Sequence, residues 1–108
     1  MSFSPAWTAS PSLTPADKGE AAMLHVYEFE IFEDEGMFVA LPYDMDGGTQ
    51  GSDFREGCEN AADWLRLEME HRTMHDEPYP EGTFDNQPNH GGRNVVVAVR
   101  AATELIPS

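Results

Sequence analysis

One stretch of this chain has the length and periodicity of a long helix, and what must cover its apolar side decides the class of fold. Phe54, Cys58, Ala61, Leu65 and Met69 recur at spacings of three and four, while Arg55, Glu59, Asp63 and Arg66 fall mostly outside that stripe. Asp53 stands where an N-cap belongs. Glu56, three residues on, completes a capping box, so that two backbone donors of the first turn find acceptors. A single amphipathic helix has to lay its stripe on something, and the flanking segments supply strands. An α+β layer follows.

Leu24 to Phe32, LHVYEFEIF, alternates with Tyr27, Phe29 and Ile31 on one face and Glu28 and Glu30 on the other, the pattern of a half-buried strand. Glu33 to Gly36 supplies a turn in which Gly36 can take positive φ, and Met37 to Leu41 returns as a second strand that Pro42 stops. Gly48 to Gly51 is a short third strand or its remnant, because glycine weakens a strand but lets backbones approach. Thr73 to Asn94, with Pro78, Pro80, Pro88, Gly82, Gly91 and Gly92, reads as a loop. It exceeds the roughly 12 to 15 residues beyond which structureless connections become uncommon, which points to function or disorder. Asn94 to Ala102 then carries an unbroken apolar run, Val95 to Val99, as expected of a strand buried on both faces. The order β-β-β-α-β makes the helix a right-handed crossover that returns the last strand parallel to the first, in a mixed sheet of three to four strands with one helix on one face. The opposite face needs another cover. A second subunit is the most economical one, so a homo-oligomer, most simply a dimer, is expected through Val96, Val97 and Val99.

The sequence has 108 residues, enough for one domain, and a domain of this size buries only about two-thirds of its unfolded surface. Residues 1 to 22, rich in Ser, Pro, Ala and Thr, read as a flexible arm in which Phe3, Trp7 and Leu13 are the large apolar groups, and residues 23 to 108 as the domain. The net charge of −14, from 20 acids against six Lys and Arg, argues against nucleic acid, whose binding draws on basic groups at phosphates. The last strand ends near Ala102 and leaves no room for a basic recognition helix, so no direct DNA binding is expected. A basic protein partner suits this charge better. No run is apolar enough to span a membrane, and the N-terminus lacks the basic and apolar regions of a signal peptide, so a cytoplasmic protein is expected.

The Pro42 turn with Asp44, Met45, Asp46 and Gly47, followed by Thr49, Gln50 and Gly51 and then by Glu56, Asn60, Ala61 and Leu65, resembles the HicB-like antitoxins. Their pattern is a strand ending in a Pro-Asp-Leu-Pro-Gly-Cys turn, a Thr-Gln-Gly and a Glu- and Ala-rich helix. With the preceding acidic hairpin and the later Glu-Pro-Tyr-Pro at Glu77 to Pro80, the likeness covers about Leu24 to Pro80. A glycine stands where the family often has Cys, Tyr43 is extra, and Gly57 and Cys58 replace the usual Ala and Leu. The resemblance implies a partial ribonuclease H-like fold with strand order 3-2-1-4. It also implies a type II antitoxin that binds and neutralises a small basic HicA-type mRNA interferase. The alternative is a solitary oligomeric regulatory or structural protein that kept the fold without a toxin partner; a metal-dependent hydrolase ranks below both.

From Glu28 to Asp46 there are seven acids and no base, so a cationic partner would be steered to this edge, with Glu33, Asp34, Glu35, Asp44 and Asp46 as the candidate contacts. A ribonuclease H-type metal site needs acids converging from several strands. Glu28 and Glu30 share a strand face, which reads more simply as a solvated acidic face. His71 and His75 have the i, i+4 spacing that can hold zinc, but they lack the Glu of an HExxH pattern and a third ligand, and histidines at a helix C-terminus have an electrostatic role of their own. Cys58, the single cysteine, lies on the apolar stripe as a small hydrophobe. His25 and His90 carry no pattern. Neither a Ser-His-acid set nor the Lys of a phosphate-binding loop is present, and no enzyme activity, cofactor or metal is expected.

Overall fold

A computed structural model describes residues 22–103, so Phe3, Trp7 and Leu13 of the arm lie outside the described residues. Five elements follow one another: β1 (Ala22–Asp34), β2 (Met37–Pro42), β3 (Thr49–Gly51), α1 (Phe54–Met74) and β4 (Arg93–Ala102). Ala22, placed in the arm by composition, is the first residue of β1 and lies opposite Ala102. The four strands form one sheet in the order β3-β2-β1-β4, the spatial order that the family resemblance implies. β1 and β2 are joined at Glu35 and Gly36, both with positive φ (53° and 82°), a two-residue connection whose twist suits a hairpin. Glu35 takes a conformation that a non-glycine residue adopts only at some cost.

α1 starts where its capping signals place it. The Asp53 carboxylate accepts from Glu56 N at 2.8 Å, and the Glu56 carboxylate reaches one residue further back than a standard capping box, to Ser52 N. Gly57, Ala61, Leu65 and Met69 are buried beneath the helix, with Phe54, Cys58 and Trp64 half-buried at its flanks. They meet Tyr27, Phe29 and Ile31 of β1, Ala40 of β2, and Val97 and Ala101 of β4. Phe29 and Leu65 are fully enclosed, each a side chain whose burial is worth roughly 1.5–3 kcal/mol. Gly57 needs no such bareness. A Cβ built there would meet Phe38 O at 3.4 Å and Ile31 Cγ2 at 3.6 Å, ordinary contact distances, whereas a helical glycine costs about 1 kcal/mol relative to alanine. Gly57→Ala should therefore raise stability by about 0.5–1 kcal/mol, and an unchanged or lower urea midpoint would contradict this.

The sheet is antiparallel throughout, which corrects the expected parallel return of the last strand. β4 pairs antiparallel with β1, from Ala22 opposite Ala102 to Ile31 opposite Arg93. The reason lies in the segment between α1 and β4. α1 descends from the hairpin end, where Gly57 lies by Phe38, to the far end, where Thr73 Oγ1 meets the Tyr79 hydroxyl and Tyr27 donates to Pro80 O. The chain then passes beside Val26 at Gly82, where a Cβ would stand 3.1 Å from Val26 O, in the gap left because β2 stops at Pro42. From there it climbs over the other face of β1 and reaches Ile31 at Gly92, where any Cβ would be 2.4 Å from Ile31 O. A strand entered from that end can only run back down. Residues 75–92 are thus a strap across the sheet, and the long connection is ordered by what it covers.

The strap lies over β1 on the face opposite the helix, and β4 corrects the reading of Val95 to Val99 as buried on both sides. β4 is an edge strand with alternating exposure: Val97 is buried and Val95 and Val99 are half-buried against the helix side, while Val96 and Ala98 point the other way and are exposed. Of the three valines expected at an oligomer interface opposite the helix, Val97 and Val99 belong to the helix-covered side, and only Val96 faces away.

Candidate functional site

The strap is fastened by the two strand acids that sequence reads as solvated. Glu30 is 2% exposed and Glu28 7% exposed. The Glu30 carboxylate accepts from Asn89 N at 3.0 Å, His90 N at 2.8 Å and Gly92 N at 2.9 Å, and His90 Nδ1 lies 3.1 Å from its Oε1. Burial alone would raise the Glu30 pKa, but these donors favour the charged form and hold it below the usual carboxylate value. Glu28 accepts from the Asn86 side chain at 3.0 Å and from Asn86 N at 3.3 Å. Asn86 and Asn94 are tied in turn, Asn94 Nδ2 donating to Asn86 O at 2.7 Å. Buried carboxylates persist only when donors converge on them, and here the backbone of the strap supplies those donors.

This fastening places His90 beside the acidic hairpin. Its ring stacks on Phe32, with centroids 4.2 Å apart and planes 13° from parallel. Next to it the Arg93 guanidinium lies 4.4 Å from the centroid of Phe54, and Phe54 meets Phe38 edge to face. The result is a pair of adjoining open grooves at the hairpin end of the sheet, about 380 and 410 Å³, which share Phe32, Glu33 and His90. Asp34 lines one, and Phe38, Phe54 and Arg93 line the other. Aromatic faces with carboxylates at their rim suit a guanidinium or ammonium group, which gains from both.

Of the five acids singled out as contacts, Glu33, Asp34 and Glu35 stand together at this end and are exposed. Asp44 and Asp46 do not join them. They follow the far end of β2, about 17 Å away along a strand rising about 3.3 Å per residue, and Asp44 accepts from Thr83 N at 3.0 Å and Thr83 Oγ1 at 2.8 Å, as a further fastening of the strap. Among the described residues, the ion pairs are Arg55–Glu59, Arg66–Glu70 and Arg72–Glu68 along the helix, and His90–Glu30 when that histidine is protonated. None engages Glu33, Asp34 or Glu35.

The remaining chemical candidates have structural places. Burial pushes the Cys58 thiol up in pKa, which makes it a poorer nucleophile. His71 and His75 lie side by side at the exposed end of α1, their ring centroids 4.3 Å apart, and among the described residues no group of three or more His, Cys, Asp or Glu converges as a metal site would require. His25 is buried against the Tyr79 ring edge with Nε2 unpartnered, and burial lowers its pKa. No described helix is long and apolar enough to cross a membrane. Comparison with protein-family models, curated proteins and solved structures found no match to this chain.

The roles of Glu28, Glu30, His90 and Phe32 escape a reading of the chain by periods. Two signals were present: acids on the inner positions of a strand flanked by aromatics, and a long connection rich in Asn and Gly, NQPNHGG, whose amides need acceptors.

Proposed function

We propose that this chain is a protein-binding module of the HicB-like antitoxin type, which covers a small basic ribonuclease of the HicA type. The observation that carries the reading is the hairpin end itself, where Glu33, Asp34 and Glu35 stand exposed beside grooves lined by Phe32, Phe38, Phe54 and His90. A cationic side chain of the partner entering the groove of Phe32, Glu33 and Asp34, apart from the neighbouring one in which Arg93 already covers Phe54, leaves water for carboxylates beside an aromatic wall, and the net charge of −14 draws such a partner in from a distance. The element order, the strand order and the Thr49-Gln50-Gly51 step into α1 support this reading, while the antiparallel direction of β4 departs from the crossover expected with it. Neutralisation on this reading is steric and electrostatic: the acids occupy the basic surface with which the ribonuclease would hold RNA.

The test is binding to the product of a short basic reading frame adjacent to the gene. Replacing Glu33, Asp34 and Glu35 together by lysine should weaken that association by at least tenfold, mostly through a slower on-rate, and should flatten its dependence on salt. Equal affinity and an equal salt slope would remove the hairpin from the interface. Failure of the unaltered chain to bind any such product would remove the antitoxin reading.

A further inference from the structure

The fold leaves one long strand edge open. β4 runs for ten residues, Arg93–Ala102, at the end of the order β3-β2-β1-β4, and among the described residues no strand lies along its outer side. Such an edge presents a row of unpaired donors and acceptors, which folded chains blunt with lysine, proline, bulges or a covering segment. β4 contains neither lysine nor proline, whereas the opposite edge strand, β3, has three residues. We propose that β4 pairs antiparallel with β4 of a second copy of this chain, joining two four-stranded sheets into one across a two-fold axis. The inference stands apart from the toxin-binding reading.

Charge selects the occupant. Arg93–Ala102 holds two arginines and no acid in a chain of net charge −14, so this strand is where two copies approach with least repulsion and where a second acidic molecule is tolerated best.

The backbone fixes which groups are offered. Tyr43 N donates to Glu28 O at 3.2 Å, so the Glu28 backbone faces β2, and alternation turns the amides and carbonyls of Tyr27, Phe29 and Ile31 toward β4. Their partners Val97, Val95 and Arg93 bond inward. Asn94, Val96, Ala98 and Arg100 therefore point their amides and carbonyls outward. Residues opposite one another in a continuous sheet must also share a face, and with both helices on the same side this requires paired numbers with an even sum. The register that would set Arg93 against Arg100 is thereby excluded. With Val97 opposite Val97 of the second copy, Val95 meets Val99, exposed Val96 meets Ala98, and Asn94 meets Arg100. These are cross-strand pairs of β-branched or small apolar side chains with no opposed like charges.

The mass of the full-length chain at micromolar concentration, measured by sedimentation or multi-angle light scattering, is expected to be twice 12.0 kDa. Ala98→Pro deletes one outward donor and leaves the bonds to β1 in place, so it should give a folded monomer. In the unaltered protein, amide exchange at Val96, Ala98 and Arg100 should slow on going from nanomolar to micromolar concentration, a readout that holds even if the proline variant does not fold. Removal of residues 1 to 21 should leave the dimer intact. A monomeric full-length protein, a dimer unaffected by Ala98→Pro, concentration-independent exchange at those amides, or a dimer lost with residues 1 to 21 would each overturn the proposal, the last by making the arm the occupant.

Discussion

Replacing Glu30 by alanine is expected to free the strap from the sheet and to lower the stability of the fold by about 3 kcal/mol. Three backbone amides, Asn89 N, His90 N and Gly92 N, converge on that carboxylate, and hydrogen bonds to a charged acceptor are each worth about 1.5–3 kcal/mol net. The total stays below their sum because amides released from the carboxylate regain water once the strap lifts. A urea midpoint together with limited proteolysis between residues 75 and 92 measures both parts. Glu30→Gln, which keeps an acceptor but not the charge, should fall between. A loss under about 1 kcal/mol with unchanged protection of the strap would show that these contacts are incidental.

The same contacts set the response to acid. Because the folded pKa of Glu30 lies below its ordinary value of 4.5, its contribution is complete above that value and is lost as pH falls through the folded pKa. His25 acts in the same direction at higher pH. Its folded pKa is lowered from 6.5 by burial, so below about 6.5 the unfolded chain takes up a proton that the folded chain refuses. Stability should decline in two stages, and Glu30→Ala should shrink only the more acidic one, to which Glu56, held down by its hydrogen bond from Ser52 N, also contributes.

The second large effect is expected at Gly51. A Cβ there would lie 2.5 Å from Gly57 N and 2.7 Å from the carbonyl carbon of Glu56, both parts of the α1 backbone that cannot turn aside. Gly51→Ala must push β3 away from the first turn of the helix, a distortion of the kind that costs about 3 kcal/mol, and it should leave a folded protein with a markedly lower thermal midpoint. The contrast with Gly57 is instructive. A methyl group six residues further on is expected to stabilise, because there the neighbours stand at contact distance and the helix prefers alanine. If Gly51→Ala were neutral, β3 and α1 would have to be less closely apposed than described.

Much of this architecture is legible in the chain because local signals and burial agree. The period of Phe54, Ala61, Leu65 and Met69, the cap at Asp53, the alternation of LHVYEFEIF and the turn at Gly36 each specify an element that the structure contains. The direction of β4 was not legible, since the same valines suit a parallel or an antiparallel strand and the choice depends on the path of a segment with no period of its own. The reading of Glu28 and Glu30 failed for a related reason. Alternation identifies which face a residue is on, but not whether that face is wet, and here the cover comes from residues some 60 positions away. The groove at the hairpin end was hidden likewise, because Phe32, Phe54 and the pair His90 and Arg93 come from three separate parts of the chain.

The separation in sequence between the strand acids and their partners also orders events during synthesis and folding. Partners of Glu28 and Glu30 lie 58 to 62 residues further along, so β1 can pair with β2 and receive α1 while its other edge and other face still lack their covers. Contacts at such range close late, after the loop entropy between them has been overcome. In that interval β1 is an open strand carrying Tyr27, Phe29 and Ile31, the kind of segment through which nascent chains aggregate. Glu28 and Glu30 are hydrated throughout it. The two residues that later anchor the strap are therefore the ones that keep the unfinished sheet from pairing with its neighbours.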